Sequence, residues 1–532
     1  MAIASNNKIR LVFFITSLMP MLVWAMNDYV ITKPIPILFW SIICATLAAS
    51  MPSKLLRPSL LLIFLSAPFT TAWIGSVALT GYGPSNAAFE AAHNGPFEEL
   101  QSAIGLALSN WTFVFVSLLT VAFTFLSSYF ILFRCPKESP KWNFVFLIAL
   151  LPFLIANMDG LGYELPMRLA PPEVKISIPW LSQIELGKSI VTSAIDNAGR
   201  ISKNNPDVRD AKNANKFFDM NNGVAIFAVG DSSRADTFIQ INRGPWSAKL
   251  QQRLDDGLGV RLNNACSGGS STADAIPRLL TGADIDDVSG INRHPTILAI
   301  AKAAGARTAY ISNHEMWVLP ESGHNLIQRT TSMGKPAFDE IPVGVLGDFL
   351  KRNPHGPRAS IIHLYGQHFN YEERYPNHGF DSTPSNLSES NLLEWHYGQA
   401  VEYGNKVLIE LAQLIDDIND PAFVFFTSDH AENLPSDKTG KKFHALPSSG
   451  KFDTTVPALV LWNKAFKESG KQKLLVNLHR GDDLIAHQDL AQAWLILIGM
   501  PGTIKKTIKP RTWGARNPGE HYRGILCSEL LP

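Results

Sequence analysis

Charged residues are distributed very unevenly along this chain, and that asymmetry limits the folds open to it. Of 93 Lys, Arg, Asp and Glu residues, 14 lie in residues 1–160 and 79 in residues 161–532. A single water-soluble globule would not leave such a long segment depleted of charge. Apolar residues make up 46% of the chain, which excludes intrinsic disorder. We therefore expect a membrane domain over 1–160 and a soluble part after it.

The charge-poor part contains five uncharged stretches suited to membrane-spanning helices, at 11–27, 34–53, 58–89, 100–133 and 142–158. A spanning helix needs roughly 20 mostly apolar residues, with about 17 as the lower limit. Seven Lys and Arg residues fall on one side of these stretches and only Lys33 on the other, so the N-terminus is expected in the cytoplasm. Five spans then place the remainder of the chain outside it. The alternative for the first stretch, a cleaved signal peptide, also leaves the C-terminal part exported.

The soluble part divides into a connector and a larger domain. Residues 161–220 contain several prolines and a polar run, and 181–199 could lie along the membrane surface or pack as an ordinary helix. Residues 221–532 are expected to form the second domain. Net charge is near zero in both halves, which gives no electrostatic basis for binding nucleic acid.

Short apolar runs alternate with helical segments after residue 221, a pattern typical of an α/β domain with a mostly parallel sheet and helices on both faces. The predicted strands are Val224–Val229, Arg307–Ile311, Ser360–Leu364, Phe423–Phe426 and Val456–Leu461. The predicted helices are 272–280, 296–304, 392–417 and 488–499. The last is very apolar, but about 12 residues are too few to cross a membrane, so we expect a buried helix.

Polar side chains come directly after four of these strands. Asp231 follows the first, His314 the second and His368 the third, and Asp429 and His430 follow the fourth. In open α/β sheets, ligands bind at the carboxyl ends of the strands. Carboxylates and imidazoles are ligands of divalent metals such as zinc, so the pattern favours a metal site. The alternative is chance, because 13 of the 14 histidines lie in this half.

A candidate nucleophile precedes the predicted helix at 272–280. The segment Cys266–Pro277 contains Ser270, Ser271 and Thr272 where that helix begins. A hydroxyl there lies in the positive field of the helix N-terminus, which favours an alkoxide and holds a phosphoryl group. A Ser or Thr before a helix is also a common N-cap, so this alternative stays open.

Five motifs occur in an order that resembles a known family. They are Gly230-Asp-Ser-Ser-Arg-Ala-Asp236, Thr272-Ala-Asp-Ala-Ile-Pro277, Gly366-Gln-His-Phe-Asn-Tyr-Glu-Glu-Arg-Tyr-Pro376, Ser428-Asp-His-Ala-Glu432 and His444-Ala-Leu-Pro447. Together with five preceding spans, they resemble the membrane phosphoethanolamine transferases of Gram-negative bacteria. The resemblance implies an alkaline phosphatase and sulfatase-like α/β domain behind an N-terminal bundle of five transmembrane helices.

The resemblance also implies roles for individual residues. Thr272 matches the nucleophile that carries phosphoethanolamine covalently. With Thr272, the zinc ligands are Asp231, Asp429 and His430. The implied substrate-binding residues are His368, His444, Glu432, Asn94 and Glu98, of which the last two are the looser match. His368 and His444 match histidines that bind donor phosphate, a second metal or the leaving group, so we expect one zinc ion, with two as the alternative.

The implied reaction is a ping-pong transfer at the outer face of the bacterial inner membrane. Thr272 attacks the phosphorus of phosphatidylethanolamine and releases diacylglycerol, and an envelope glycolipid or glycan such as lipid A then accepts the group. The catalytic domain is expected in the periplasm, and the protein is expected to be monomeric.

Three departures from the family bear on these expectations. The family usually has Glu where this chain has Asp231, and two extra residues follow Cys266, which leaves Ser270 and Ser271 as alternative nucleophiles. Only Cys266 and Cys527 remain for an exported disulfide, and sequence alone does not decide whether they pair. These departures suggest a divergent branch.

Several other functions are alternatives to the transferase. A phosphoglycerol transferase acting on periplasmic glucans or a related polymer uses the same chemistry on another head group and is the main alternative. A phosphatase or sulfatase-like hydrolase is a further one, although the chain lacks the Cys-x-Pro-x-Arg of sulfatases. No G-x-S-x-G nucleophile elbow occurs, which disfavours a serine hydrolase. An inactive membrane-tethered binding module disagrees with the presence of Thr272, Asp429 and His430.

Overall fold

The computed structural model describes residues 222 to 531 with some gaps, together with six positions nearer the N-terminus. The gaps within that range are 239–243, 288–293, 315–323, 331–337, 377–379, 381–383, 385, 440, 442, 445–447, 480–482 and 517–522. Apart from six isolated positions, the five expected spans lie outside the described residues, and so do the connector, Asn94 and Glu98. Among the residues that are described, no helix combines the length and the apolar character that a membrane crossing requires.

Seven strands form the central sheet, namely β1 Val224–Gly230, β2 Gly259–Arg261, β4 Arg307–Ser312, β5 Leu326–Arg329, β6 Arg358–His363, β7 Ala422–Ser428 and β9 Ala458–Trp462. Their order across the sheet is β2-β9-β7-β1-β6-β4-β5. The strands β5, β4, β6, β1 and β7 are parallel, whereas β9 is antiparallel to both β7 and β2. The expectation of a mostly parallel sheet is confirmed.

Two smaller sheets accompany the central one. The strands β3 (Ala265–Cys266), β8 (Thr455–Val456) and β10 (Ile485–Ala486) form a three-stranded sheet with β3 in the middle. The strands β11 (Arg511–Gly514) and β12 (Arg523–Leu526) form an antiparallel pair.

Eight α-helices are described. Their bounds are α1 Pro245–Asp255, α2 Thr272–Thr281, α3 Ile297–Ala303, α4 Glu340–Arg352, α5 Glu389–Asp416, α6 Lys451–Thr454, α7 Lys464–Ser469 and α8 His487–Leu497. Several begin at a side-chain cap, in which a hydroxyl or amide oxygen accepts a backbone N–H of the first turn. Ser271 caps α2, Thr296 caps α3 and Ser388 caps α5 in this way.

The helices cover both faces of the central sheet. Alternate residues of a strand point to opposite faces, and β1 shows this division. Phe227 and its alternate neighbours pack with α2, α3 and α8 in one core, whereas Ile226 and its alternate neighbours pack with α1, α4 and α5 in the other. Helix α8 is almost entirely buried, as its apolar sequence predicts, with Trp494 fully enclosed.

The predicted elements agree with the structure in position, with one correction. The predicted strand Val456–Leu461 is two strands, β8 and β9, which belong to different sheets and are separated by Pro457. Proline has no N–H to donate to a ladder, which explains the interruption. Helix α4 is absent from the predicted set, because Pro342, Gly344 and Gly347 obscure its helical pattern.

Candidate active site

Two neighbouring parallel strands bring the principal site residues together. Strand β1 leads into Asp231 and strand β7 into Asp429 and His430, and the register pairs Gly230 with Ser428. The amide of Asp429 donates to the carbonyl of Gly230 at 3.0 Å, which continues the pairing beyond the strands. The three side chains Asp231, Asp429 and His430 are fully buried.

The tautomer of His430 makes the three side chains Asp231, Asp429 and His430 suitable for binding a cation. Its Nδ1 lies 2.9 Å from the carbonyl oxygen of Ala431, and because a carbonyl only accepts, Nδ1 carries the proton. Nε2 therefore presents a lone pair, 3.7 Å from Asp231 Oδ1 and 3.6 Å from Asp429 Oδ2. Asp429 Oδ2 has no hydrogen-bond partner among the described residues. An imidazole lone pair beside two buried carboxyl groups is a set of donor atoms that a bound cation can share.

Burial and neighbouring charges shift the pKa values of the two carboxyl groups in opposite directions. Burial and then the Asp231 charge raise the pKa of Asp429 well above its usual range. Burial also acts to raise the pKa of Asp231, but the His368 charge and a hydrogen bond from His314 outweigh it and lower that pKa well below its usual range. Asp231, Asp429 and His430 offer one donor atom each, all within 4.8 Å of one another, so the residues present fit a divalent metal.

Thr272 points its hydroxyl into this group. Its Oγ1 lies 3.2 Å from Asp231 Oδ2 and 3.3 Å from His430 Nε2. Thr272 is the first residue of α2, and its exposed fraction is 5%. The hydroxyl therefore meets both the metal-ligand group and the positive end of a helix.

The two neighbouring serines have other contacts. Ser271 Oγ donates to Asp274 Oδ2 at 2.9 Å and accepts from the Asp274 amide, so Ser271 is the N-cap of α2. Ser270 Oγ accepts from Ser449 Oγ at 3.3 Å. Of the three hydroxyls, the described contacts bring only that of Thr272 to Asp231 and His430.

The loop before Thr272 is held from two sides. His487 Nδ1 accepts the amide of Gly268 at 3.0 Å, and its Nε2 donates to the carbonyl of Ser428 at 3.0 Å. Burial lowers the pKa of His487 to about 4, so the ring is neutral, as this pair of bonds requires. Cys266 forms a disulfide with Cys527, which answers the question of pairing that the sequence leaves open.

His444 and Glu432 form an ion pair beside His430. His444 Nδ1 lies 3.2 Å from both carboxylate oxygens of Glu432, which is fully buried. Burial disfavours the imidazolium, but the facing carboxylate outweighs burial and raises the pKa of His444 to about 9. Unlike His430, His444 is therefore protonated at neutral pH and available as a proton donor.

His368 approaches Asp231 through a loop that requires glycine. Gly366 has φ +57°, and a Cβ there would lie 2.6 Å from the backbone N and O of Asp231. The next residue, Gln367, donates its amide to the Asp231 carbonyl at 2.9 Å. His368 is thereby brought near Asp231, and its ring lies 5.6 Å from that of His444.

The structure adds residues that the motifs do not include. His314 Nε2 lies 3.0 Å from Asp231 Oδ2; the sequence places it after a strand, but it matches no motif. Asp339 accepts the Asn313 side-chain amide at 2.7 Å and the backbone amides of Tyr365 and Gly366 at 2.8 and 2.9 Å. No sequence signal points to Asp339, because its partners come from other parts of the chain.

A family model and several phosphoethanolamine transferases match part of this chain in sequence. A sulfatase family model matches residues 224–500, more than half of the chain. The Kdo(2)-lipid A phosphoethanolamine 7''-transferase of Escherichia coli K12 is 25% identical over 228 residues, 39% of each chain. Phosphoethanolamine transferase EptA of Helicobacter pylori is 24% identical over 270 residues, 46% of this chain and 48% of its own. The chain spans less than half the length of the curated relatives it matches.

A solved structure resembles the fold. It is the integral membrane protein lipooligosaccharide phosphoethanolamine transferase A of Neisseria meningitidis, with a TM-score of 0.63 over 93% of this chain and 95% of that protein. Its sequence identity is 16%, so this likeness concerns the fold alone. The sulfatase model begins at the first residue of β1 and extends past α8, so it includes the sheet and the strand ends that carry the site. The chain belongs to the sulfatase family.

Proposed function

We propose that this chain is a phosphoethanolamine transferase of the bacterial cell envelope, with phosphatidylethanolamine as donor and a glycolipid or glycan such as lipid A as acceptor. The observation that carries the proposal is the Thr272 hydroxyl, 3.2 Å from Asp231 Oδ2 and 3.3 Å from His430 Nε2. The phosphoethanolamine transferases among its relatives support the choice of transferred group.

We also propose the membrane arrangement that the charge asymmetry predicts. Residues 1–160, with 14 charges, form five spans in the inner membrane, and the catalytic domain lies in the periplasm. A donor phosphate lies at the bilayer surface, so a membrane anchor holds the enzyme where its substrate is. Asn94 and Glu98 would meet the ethanolamine end of the donor, and the protein would act as a monomer.

The metal position in this proposal consists of Asp231, Thr272, Asp429 and His430. A zinc ion held there would act as a Lewis acid that favours the deprotonated Thr272 oxygen and withdraws charge from the phosphoryl group. The protein supplies the geometry, because both carboxylates and the His430 lone pair are buried and fixed by strand ends before any substrate arrives.

The chain's own residues then account for the two half-reactions. Thr272 Oγ1 loses its proton to solvent and bonds to the donor phosphorus, while the bond from phosphorus to the glycerol oxygen breaks. His444, protonated below pH about 9, gives that oxygen its proton and so releases diacylglycerol. In the second half, neutral His444 takes a proton from the acceptor hydroxyl, whose oxygen displaces Thr272 from phosphorus. The Thr272 oxygen recovers a proton from solvent.

The nucleophile is tested by Thr272→Ala in the full-length protein, with Ser271→Ala as the matched control. Intact-protein mass spectrometry after incubation with phosphatidylethanolamine should show an added phosphoethanolamine mass on the wild type and none on Thr272→Ala. Ser271→Ala should keep the adduct and lose about 1 kcal/mol of stability, because it removes only an N-cap.

Two results would contradict the proposal. Full transfer activity in Thr272→Ala would exclude Thr272 as nucleophile, and loss of the adduct only in Ser271→Ala would transfer that role to Ser271. A parallel incubation with phosphatidylglycerol identifies the donor, because an added phosphoglycerol mass from that lipid, with no adduct from phosphatidylethanolamine, would select the phosphoglycerol transferase. Spectra of envelope glycolipids and glycans with and without the gene identify the acceptor.

A further inference from the structure

Two phenylalanine rings lie beside two histidines of the candidate site. Phe369 directly follows His368 in the chain, and Phe443 directly precedes His444. The Phe369 and Phe443 rings contact each other, with centroids 4.5 Å apart, and the two histidine rings lie 5.6 Å apart. Both phenylalanines are partly exposed. The segments after β6 and after β7 therefore meet through two histidines and through this aromatic pair of Phe369 and Phe443.

The aromatic pair packs apart from the two main cores of the domain. It lies against a small cluster of buried side chains, Tyr371, Tyr397, Val401 and Leu434. The cluster supports the two rings without enclosing them, because both keep part of their surface in contact with solvent. Apolar surface stabilises a fold when it is removed from water, so the exposed part of the pair contributes little to stability. It is surface that a ligand would cover, as in binding sites where aromatic side chains lie beside a few polar groups.

The backbone at Phe443 has a conformation that favours glycine. Its φ is +65°, in the left-handed region, where a residue with a bulky side chain is rare. The Phe443 and Asn433 amides each donate to the other's carbonyl at 3.1 Å, and the Asn433 side-chain amide donates to the Phe443 carbonyl at 2.6 Å. Asn433 directly follows Glu432, the partner of His444. A strained residue that neighbouring hydrogen bonds keep in place is typical of a binding or catalytic site.

The proposed reaction brings the lipid part of the donor next to this pair. His444 gives its proton to the glycerol oxygen, so that oxygen must come within hydrogen-bond distance of the His444 ring, about 3 Å. The His430 ring lies on the phosphoryl side, with its centroid 4.1 Å from that of His444 and its Nε2 3.3 Å from Thr272 Oγ1. The glycerol carbons and the acyl chains extend from the same oxygen, away from phosphorus. They are largely apolar, and the aromatic pair is an apolar surface that adjoins His444.

We propose that Phe369 and Phe443 bind the glycerol and the first acyl carbons of the lipid donor. Aromatic rings offer a large and rigid apolar area for such a contact. A soluble phosphate ester of ethanolamine lacks the carbons that these rings contact, so the pair selects a lipid donor. The same contacts hold diacylglycerol after the transfer until it leaves. This inference rests on the proposed function, because Thr272 and His444 define where the glycerol oxygen lies.

The test separates the lipid half of the donor from its head-group half. Adduct formation on the full-length protein is measured with phosphatidylethanolamine in detergent micelles, in the presence of either dioctanoylglycerol or free phosphoethanolamine as inhibitor. In Phe369→Ala and in Phe443→Ala, the inhibition constant of dioctanoylglycerol should rise about 10-fold, as expected for the loss of an apolar contact. The inhibition constant of phosphoethanolamine should not change.

Phe380→Ala is the matched control. Phe380 is also partly exposed and contacts two aromatic rings, those of Tyr375 and Tyr403, at centroid distances of 5.4 and 5.7 Å. Both inhibition constants should keep their wild-type values in this variant. Phe369→Leu and Phe443→Leu replace any alanine variant that melting curves show to be unfolded, and they should raise the dioctanoylglycerol constant alone.

The contrary outcomes are distinct from one another. Equal weakening of both inhibitors would show that the rings only support the surrounding loops, which overturns the proposal. An unchanged dioctanoylglycerol constant in the variants, or no inhibition of the wild type by dioctanoylglycerol, would show that the lipid half is not bound by this pair and also overturns it. In these cases the wild type still forms the adduct, so the proposed function stands. A wild type that forms no adduct removes both.

Discussion

Strands β1 and β7 consist largely of apolar residues, whereas polar residues follow at their carboxyl ends. Both sets of residues are equally buried. Residues Val224–Val229 and Phe423–Phe426 are apolar and enclosed on both faces of the sheet. Just beyond the strands, Asp231, Asp429 and His430 are equally inaccessible but carry charges and lone pairs. Burial of apolar surface stabilises a fold, whereas burial of an uncompensated charge opposes it. The strand ends are therefore expected to serve function at the cost of stability.

The largest effect should follow Asp429→Asn, which removes the charge and keeps the shape of the side chain. Because a carboxylate in the metal-ligand group is lost, we expect metal content to fall and transfer to drop by about 10⁴-fold, equivalent to roughly 5 kcal/mol of transition-state stabilisation. The amide oxygen can still accept from the His430 backbone N–H, as Asp429 Oδ1 does at 2.6 Å. The melting temperature of the metal-free protein should therefore not fall.

Asp348→Asn is the control for that variant, since the Asp348 side chain is 62% exposed and pairs only loosely with Arg352 on the same helix, at 4.0 Å. It should change neither metal content nor transfer. A metal-free Asp429→Asn protein that melts well below the metal-free wild type would contradict the comparison, because it would show Asp429 stabilising the fold.

A smaller effect, and one on stability alone, should follow Phe425→Ala in the middle of β7. Its ring is fully buried and stacks on that of Phe227, with centroids 5.5 Å apart. Truncation leaves a cavity between the strands and the helices over them, so we expect a loss of about 3–5 kcal/mol in the free energy of unfolding. Thermal unfolding measures the loss, and metal content below the melting transition should stay at the wild-type value.

Ile508→Ala provides the comparison on the surface. Ile508 is 89% exposed, so its truncation should change stability by no more than about 0.5 kcal/mol. If Phe425→Ala and Ile508→Ala lower the free energy of unfolding equally, the buried residues of β7 do not stabilise the fold as expected.

The smallest effect should be a pH dependence from His487, the first residue of α8, which contacts the Ser428 carbonyl at the end of β7 and lies outside the metal-ligand group. Its pKa is lowered to about 4, so between about pH 6.5 and 4 the unfolded chain binds a proton that the folded chain does not. Stability is therefore lost as pH falls through this range, by up to about 3 kcal/mol at 1.36 kcal/mol per pH unit.

His487→Gln should remove that contribution, because the amide can accept from Gly268 N–H and donate to the Ser428 carbonyl without titrating. When the pH is lowered from 7 to 4, the unfolding free energy of the wild type should fall by about 3 kcal/mol more than that of the variant. A constant difference across this range would show that His487 is not a neutral buried group.

The pairing of the two cysteines and the identity of the helix cap could not be predicted from sequence alone. Cys266 and Cys527 are 261 positions apart, and only the folded chain brings their Cα atoms within 6.4 Å. The hydroxyls of Ser271 and Thr272 are adjacent in sequence and both suit a cap or a nucleophile. Their separation into one cap and one hydroxyl facing Asp231 depends on where α2 begins relative to β1 and β7.

The sequence by itself determined the class of this domain and the place of its site, because strand and helix periodicity is local and parallel strands always align their carboxyl ends. It singled out Asp231, Thr272, Asp429 and His430 as candidate site residues through motifs and through their positions at strand ends and at a helix start. Tertiary structure alone decided that His314 and His368 meet at Asp231, that Asp339 holds the ends of β4 and β6, and that His444 is charged while His430 is neutral. Those facts arise from contacts between distant segments and from the burial each segment imposes on the others, which no local pattern records.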